Sequence, residues 1–287
     1  MTEIIRGRLL AKNILEKTKA RLPAPPPGRT TPANPPGLGV ILIGADPAST
    51  LYVKLKTQAA KEVGLYVEIV NFDKSVDQKL VLTKIAEWNL RTDINGILVQ
   101  FPVPKEFDGD LLVKAIHPNK DVDGFHPENR AALLNGKANL VPPVALAIMR
   151  LIQATHLPLT NKHALIISKS TVFAEPLIEL MKEAGLVGSR ISPRSATLKP
   201  QAQSADLIVV AVGKAGFLTK ELVKPGAIII DVGTNRENGK VVGDTAPDAA
   251  ALAAFISPVP GGVGPLTVAY LVLNVIRAQE KQTNQLK

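Results

Sequence analysis

A tyrosine and a lysine four residues apart, Tyr52 and Lys56, are the side chains of this sequence whose types and spacing most directly suggest chemistry. They lie in Ser49-Thr50-Leu51-Tyr52-Val53-Lys54-Leu55-Lys56, where Leu51, Leu55, Ala59 and Val63 recur every four residues until Gly64; this spacing predicts a helix from Ala48. Residues four apart on a helix stand one turn above each other, so ring and amine share a face beside the apolar one. An apolar run, Gly39 to Gly44, precedes the helix and reads as a buried strand, with a turn at Asp46-Pro47 between them. Open α/β sheets place ligands near the carboxyl ends of such strands. An aromatic ring beside a lysine suits a flat anionic substrate. A partly desolvated lysine has its pKa drawn toward neutrality and can take part in proton transfer. The competing reading is an ordinary solvated lysine beside a half-buried tyrosine.

The elements that must position these groups alternate along the chain. Glu3 to Leu22 reads as an amphipathic helix, and the proline-dense stretch 23–36 as an exposed loop. Tyr66 to Phe72 is a predicted strand, Val76 to Leu90 a helix, and Ile94 to Gln100 a strand running into Phe101-Pro102-Val103-Pro104. A short helix, Asp110 to Ile116, leads to a polar loop carrying two acids, Asp121 and Asp123. A second set of units follows: a helix over Leu146 to Thr155, a strand Ala164 to Ile167 entering Ser168-Lys169-Ser170-Thr171, and a helix with Pro176 near its first turn. Strands at Asp206 to Val212 and Ala227 to Val232 each end in a glycine-bearing turn. Such alternation argues for mostly parallel sheets covered by helices. Small residues at strand ends let backbone N–H groups approach phosphates, as in dinucleotide-binding units, although no G-x-G-x-x-G is present. An α/β core with ordinary turns is the alternative. The final loop, Pro258 to Thr267, packs prolines and glycines so densely that something must hold it; an apolar helix from Val268 to about Ala278 follows.

Composition narrows the class. The 287 residues, 46% apolar and 21% charged, suffice for two domains with sizeable cores. The chain has no cysteine, which excludes disulfides, thiol nucleophiles and thiolate metal sites. His117, His126, His156 and His163 lack paired ligand spacing, so no metal is expected. No apolar run reaches the roughly 18–20 residues of a membrane span, and the start lacks the order of a secretory signal; a cytoplasmic protein without membrane contact is expected. The net charge of +9 is spread along the chain with few aromatics, which suits anionic small molecules and not a nucleic acid.

Five co-linear stretches together resemble the bifunctional methylenetetrahydrofolate dehydrogenase/cyclohydrolase family over nearly the whole chain. They are Tyr52 to Lys56, Gly96 to Pro104, Lys120-Asp121-Val122-Asp123-Gly124-Phe125, Lys224-Pro225-Gly226-Ala227 through Gly233, and Pro258 through Thr267. The resemblance implies two α/β domains with a cleft between them. The first is a folate-binding catalytic domain, residues 1–143 completed by a helix over 266–287. The second is a Rossmann-like dinucleotide-binding domain over 144–265. Lys56 would be the essential lysine, Gln100 the glutamine that hydrogen-bonds it, Tyr52 the ring stacked on the folate, and Asp123 the acid gripping the pterin, with Asp121 structural. Val99, Phe101, Pro260, Gly261 and Gly262 would complete the folate side. The cofactor, NADP with NAD as a possible substitute, would meet Ser168, Lys169, Ser170, Ser195, Gly213, Thr234 and Thr267. A homodimer through the second domain is also implied.

The cofactor side departs from the family pattern. Ser168-Lys169-Ser170 stands for the usual Gly-Arg-Ser, Phe173-Ala174 for Val-Gly, and Val144-Ala145 for Thr-Pro. Lys169 keeps a positive charge for a 2′-phosphate but loses the planar fork of arginine. Ser168 adds a Cβ where backbone should approach the cofactor. The expected function is NADP-dependent oxidation of 5,10-methylenetetrahydrofolate to the methenyl form and hydrolysis of that to 10-formyltetrahydrofolate. The alternatives are a cyclohydrolase with weakened or NAD-preferring dehydrogenase activity, and a non-catalytic folate-binding paralogue.

Overall fold

A computed structural model describes residues 2–24, 32–137 and 140–284. The chain divides into two compact units: Met1–Ala11 with Val144–Thr267, and Lys12–Pro143 with Val268–Lys287. In chain order the first elements are β1 (Glu3–Ile4), α1 (Gly7–Lys19), β2 (Gly37–Ile43), α2 (Pro47–Val63), β3 (Tyr66–Phe72), α3 (Gln78–Leu90), β4 (Gly96–Val99), α4 (Gly109–Ala115) and α5 (Pro127–Leu134). They are followed by α6 (Pro143–Gln153), β5 (His163–Ser168), α7 (Thr171–Glu183), β6 (Val187–Ile191), α8 (Leu198–Ser204), β7 (Leu207–Ala211) and β8 (Ile228–Asp231). A small antiparallel hairpin, β9 (Asn235–Glu237) and β10 (Lys240–Val242), precedes α9 (Pro247–Leu252), β11 (Phe255–Ile256) and α10 (Val263–Asn284).

The unit containing Lys56 is built on a three-stranded parallel sheet ordered β3-β2-β4. Its central strand, β2, is buried along its whole length, as a strand covered on both faces must be. One face packs against α2 and α10 through Val40, Val53, Ala60, Leu271, Val272 and Val275. The other packs around Trp88 of α3 with Ile41, Ile85 and Ile97. Gly39 is required there: a Cβ would stand 2.6 Å from the Trp88 ring. The indole N–H is not stranded, donating to Glu68 Oε1 at 3.0 Å. Helix α2 starts where Asp46 accepts from the Ser49 N–H and stops at Gly64, whose φ of 107° only glycine adopts readily.

The other unit is a six-stranded sheet ordered β1-β11-β8-β7-β5-β6, with every pairing parallel. The chain passes from β5 outward to β6 and then returns to the opposite side of β5 with β7, which creates a topological switch point between β5 and β7. The core is the aliphatic set Leu165, Ile167, Ile208, Val210, Ile229 and their neighbours.

Several expectations are corrected. Glu3 to Leu22 is not one helix: the Glu3 and Ile5 N–H groups donate to the Ala254 and Ile256 carbonyls, making residues 3–4 an edge strand before α1 begins. Residues 1–11, expected with the folate domain, group with Val144–Thr267. Pro176 lies inside α7, beyond its first turn. Helix α10 begins at Val263, inside the glycine- and proline-rich loop, and extends to Asn284. Of the stretch 23–36, residues 25–31 lie outside the described residues, as do 285–287 at the end of the expected closing helix.

The loop before α10 is held by the N-terminal segment of its own unit. Arg8 N–H donates to the Gly261 carbonyl at 3.1 Å, Gly261 has φ of 111°, and a Cβ on Gly7 would stand 1.9 Å from the Gly262 carbonyl oxygen. Gly7→Ala must therefore displace backbone. It is expected to cost about 1–3 kcal/mol, read as a lower midpoint in urea denaturation.

Candidate active site

Tyr52, Lys56, Gln100 and Asp123 belong to one unit, and three of them meet around a single ammonium. Lys56 sits on the inner side of α2, only 6% exposed. Its Nζ donates to Gln100 Oε1 at 3.0 Å, and Gln100 Nε2 in turn donates to the Phe101 carbonyl at 2.6 Å. Gln100 is placed by β4: its backbone N–H donates to the Ile41 carbonyl of β2, continuing the sheet's pairing one residue past the strand. The amide orientation is thus fixed at both ends. Val99 is buried in the core, whereas the Phe101 ring is exposed beside Gln100. Tyr52, one turn before Lys56, is half-buried.

Burial pushes the Lys56 ammonium below the ordinary lysine value, and the Asp123 carboxylate pulls it back part of the way. Asp123 is the mirror image: burial pushes its carboxyl up, and the Lys56 charge draws it down. The solvated-surface reading of Lys56 is therefore ruled out. Ser49, two turns before Lys56 on the same face, is buried with no hydrogen-bond partner for its hydroxyl among the described residues. Sequence reading passed over it, although its i, i+3, i+7 register with Tyr52 and Lys56 was visible.

The loop bearing Asp123 is fixed by buried polar groups. Asp121, 1% exposed, accepts from the Gly124 and His126 N–H groups at 3.0 and 2.8 Å and from Asn129 Nδ2 at 2.9 Å. These bonds agree with the expectation that Asp121 is structural. Lys120, whose pKa burial lowers to about 8, donates to the Trp88 and Arg91 carbonyls at the end of α3. It thereby satisfies helix carbonyls that would otherwise lack partners.

In the other unit, Ser168 and Ala211 are register partners, so the ends of β5 and β7 lie level at the switch point. Ser168 is 2% exposed; its Oγ turns inward to accept the Ser170 N–H at 3.1 Å, and its carbonyl accepts from Arg190. Its hydroxyl therefore closes the turn instead of projecting from it. Ser170 Oγ caps α7 by accepting from Phe173 N–H, while Lys169 is exposed. Ser195 and Thr197 pair their hydroxyls at 3.1 Å, Thr234 is exposed, and the Thr267 hydroxyl donates to the Val263 carbonyl. Pro260, Gly261 and Gly262, expected on the folate side, belong to this unit.

One expectation about the glycine turns is corrected. The N–H groups of Val212, Gly213 and Lys214 all donate to the buried Asp244 carboxylate at 2.6–2.9 Å, and that of Gly233 donates to Asp231. Asp231 also takes the Asp244 and Thr245 N–H groups. Buried carboxylates must be saturated with donors, so these N–H groups are not available to a phosphate. What Gly213 offers a ligand is room: a Cβ there would meet nothing within 4 Å. The two acids were legible as charged residues near glycines, but apart from Gly233 and Asn235 their partners lie 13–32 residues away.

A buried lysine held by a glutamine and an acid, in a chain whose other unit is a parallel sheet with a switch point, defines a two-unit α/β enzyme of the dinucleotide-binding type. The comparisons give the family. Residues 5–123 match the family model "Tetrahydrofolate dehydrogenase/cyclohydrolase, catalytic domain" and residues 142–283 match its "NAD(P)-binding domain". The "Bifunctional protein FolD" of Dechloromonas aromatica is 42% identical over 98% of both chains, and that of Enterococcus faecalis 37% identical over 98% of this chain and 100% of its own. Among solved structures, the bifunctional FolD of Campylobacter jejuni superposes with a TM-score of 0.89 at 33% identity, covering 98% of this chain and 100% of that one. A Trypanosoma brucei FolD complexed with NADP and an inhibitor gives 0.90 at 28% identity, covering 98% of each. The chain belongs to the tetrahydrofolate dehydrogenase/cyclohydrolase family.

A lysine with a depressed folded pKa binds fewer protons folded than unfolded between the two values. Its contribution to stability therefore rises with pH across that window, and the cost of the buried ammonium is fully felt below it. The Lys56 side chain, followed by NMR at its ε-carbon, is expected to titrate below 10.5. In Asp123→Asn the midpoint should fall further, because the charge that raises it is gone.

Proposed function

We infer that the protein oxidises 5,10-methylenetetrahydrofolate to the 5,10-methenyl form with NADP and hydrolyses that product to 10-formyltetrahydrofolate. The observation that carries the reading is the buried Lys56 bonded to Gln100 and facing the charge of Asp123. Family membership supports the substrate, and the geometry supports the division of labour among residues.

Tyr52 offers its ring face to the pterin, and Asp123 accepts hydrogen bonds from the pterin's N–H groups. Val99 and Phe101 wall the same side. In the hydrolytic step water adds to the cationic methenyl bridge and a C–N bond of the ring then opens. Lys56 as an amine takes one proton from the attacking water and passes it to the departing nitrogen, and the remaining hydroxyl proton is released to solvent as the formyl C=O forms. As a permanent ammonium it would repel the cation, so the depressed pKa is what the step requires. Gln100 is a neutral partner that accepts from Lys56 and keeps the amine aimed without adding charge.

NADP supplies the hydride acceptor. The chain's residues fit it at the switch point: the level ends of β5 and β7, the open space at Gly213 and the exposed Lys169 beside the start of α7. Lys169 and Ser195 take the 2′-phosphate, with Ser168, Ser170, Thr234 and Thr267 lining the remainder. The inward turn of the Ser168 hydroxyl supports an intact dehydrogenase over the weakened alternative. The family resemblance further supports a cytoplasmic homodimer formed through the second unit, where β6 is an edge strand with Val187 exposed. Among the described residues, no helix is long and apolar enough to cross a membrane.

Lys56→Met is expected to abolish hydrolysis of added methenyltetrahydrofolate, followed by its absorbance, while circular dichroism shows an intact fold. A variant that still hydrolyses would remove the lysine from the mechanism. Lys169→Ala, lacking one charge-assisted hydrogen bond of about 1.5 kcal/mol, should raise KM for NADP roughly tenfold and leave NAD-supported turnover little changed. An equal effect on both cofactors would take Lys169 off the 2′-phosphate.

A further inference from the structure

Asn274 is a polar residue fully buried in an apolar stretch of α10, flanked by the core residues Leu271, Val272, Val275 and Ile276. An amide in such surroundings is costly unless its donors are used. Both are: Nδ2 donates to the Val122 carbonyl at 3.0 Å and to the Val141 carbonyl at 2.9 Å. The Val122 carbonyl belongs to the peptide unit that joins Val122 to Asp123. On the far side of Asp123, the Gly124 N–H is held by Asp121 through both its carboxylate and its carbonyl oxygen. Gly124 itself has φ of 73°, and a Cβ there would stand 2.6 Å from the Pro142 nitrogen. The acid is thus suspended between two immobilised peptide units, and a helix more than 140 residues away in sequence fixes one of them.

We propose that Asn274 is a positioning residue for this reaction: by holding the Val122 carbonyl it aims the Asp123 carboxylate at the folate and at Lys56. The inference rests on the reading of Asp123 as the group that grips the pterin. Val122 is already locked in the core, since a Cβ on Gly96 would meet its Cγ1 at 2.5 Å; side-chain packing alone leaves the direction of the following peptide open. The two amide hydrogen bonds set that direction. A loss of aim of about 1 Å at a binding group costs up to about a hundredfold.

The test uses the full-length enzyme with Asn274→Leu, which keeps volume and removes both donors, and Asn274→Ser, which keeps one short donor. KM and kcat for hydrolysis of methenyltetrahydrofolate, its pH profile and the dissociation constant for NADP are measured for each. Asn274→Leu is expected to raise KM roughly ten- to a hundredfold with kcat changed less, Asn274→Ser to fall between, and NADP binding to stay at wild type. The pH profile separates positioning from mere stability. The charged groups facing Lys56 and Asp123 are each other and, toward Asp123, Asp121 on the same loop; Gln100, from the end of β4, is neutral. A loosened Asp123 supports the ammonium less, so the midpoint governed by Lys56 moves to lower pH, in the direction of Asp123→Asn. A purely structural role would lower the melting temperature and leave that midpoint in place. If Asn274→Leu does not fold, Asn274→Ser carries the measurement. A raised KM in Asp123→Asn with wild-type KM and midpoint in the folded Asn274 variants overturns the positioning role alone. An unchanged KM in Asp123→Asn removes the folate grip and this inference with it.

Discussion

The folate-side unit is organised around one unfavourable act, the burial of an ammonium. A lysine in a core costs several kcal/mol unless it is paired or sheds its proton. Lys56 does some of each: Gln100 accepts its hydrogen bond, Asp123 supplies a counter-charge, and burial still holds its pKa below the ordinary value. A bare ion pair in the same place would keep the lysine charged and unable to move a proton. A bare apolar pocket would make it neutral but leave it unaimed. The neutral glutamine and the acid aim a lysine whose pKa burial keeps below the ordinary value.

That balance requires its partners to be immobile, and the rest of the unit supplies this through backbone hydrogen bonds. Gln100 continues the pairing of β4 with β2, so the sheet aims it. The Asp123 loop is fastened from α3 by Lys120, from α5 by Asn129 and from α10 by Asn274. Each of these buried polar side chains donates to main-chain carbonyls or to Asp121, which offsets much of the desolvation of polar atoms in a core.

The second unit uses the same device with opposite sign. Buried Asp231 and Asp244 gather the N–H groups of the turns after β7 and β8. They shape the edge of the sheet at the switch point, and in doing so withdraw donors that a glycine turn would otherwise present to a phosphate. What those turns leave open at the switch point is space beside Gly213 and the exposed side chain of Lys169 before α7.

Local patterns determined much of this protein. The four-residue period of Leu51, Leu55, Ala59 and Val63 with Gly64 after it defines α2, and the run of β-branched and aliphatic residues defines β2, because propensity, periodicity and capping act within a few residues. The spacing of Tyr52 and Lys56, and the order of Gln100 and Asp123 behind it, pointed to the family, and the structure brings Lys56, Gln100 and Asp123 of that set together. Only the tertiary structure decided the rest. The strand at Glu3–Ile4 is too short to carry a period and exists because β11 offers it partners. The hydrogen-bonding fate of the Gly213 N–H depends on Asp244, and the aim of Asp123 on Asn274; both are contacts across long stretches of chain. Burial of Lys56 likewise follows from packing α2 on the sheet, since a helical period shows which face is apolar but not how deeply a residue at its margin will sink.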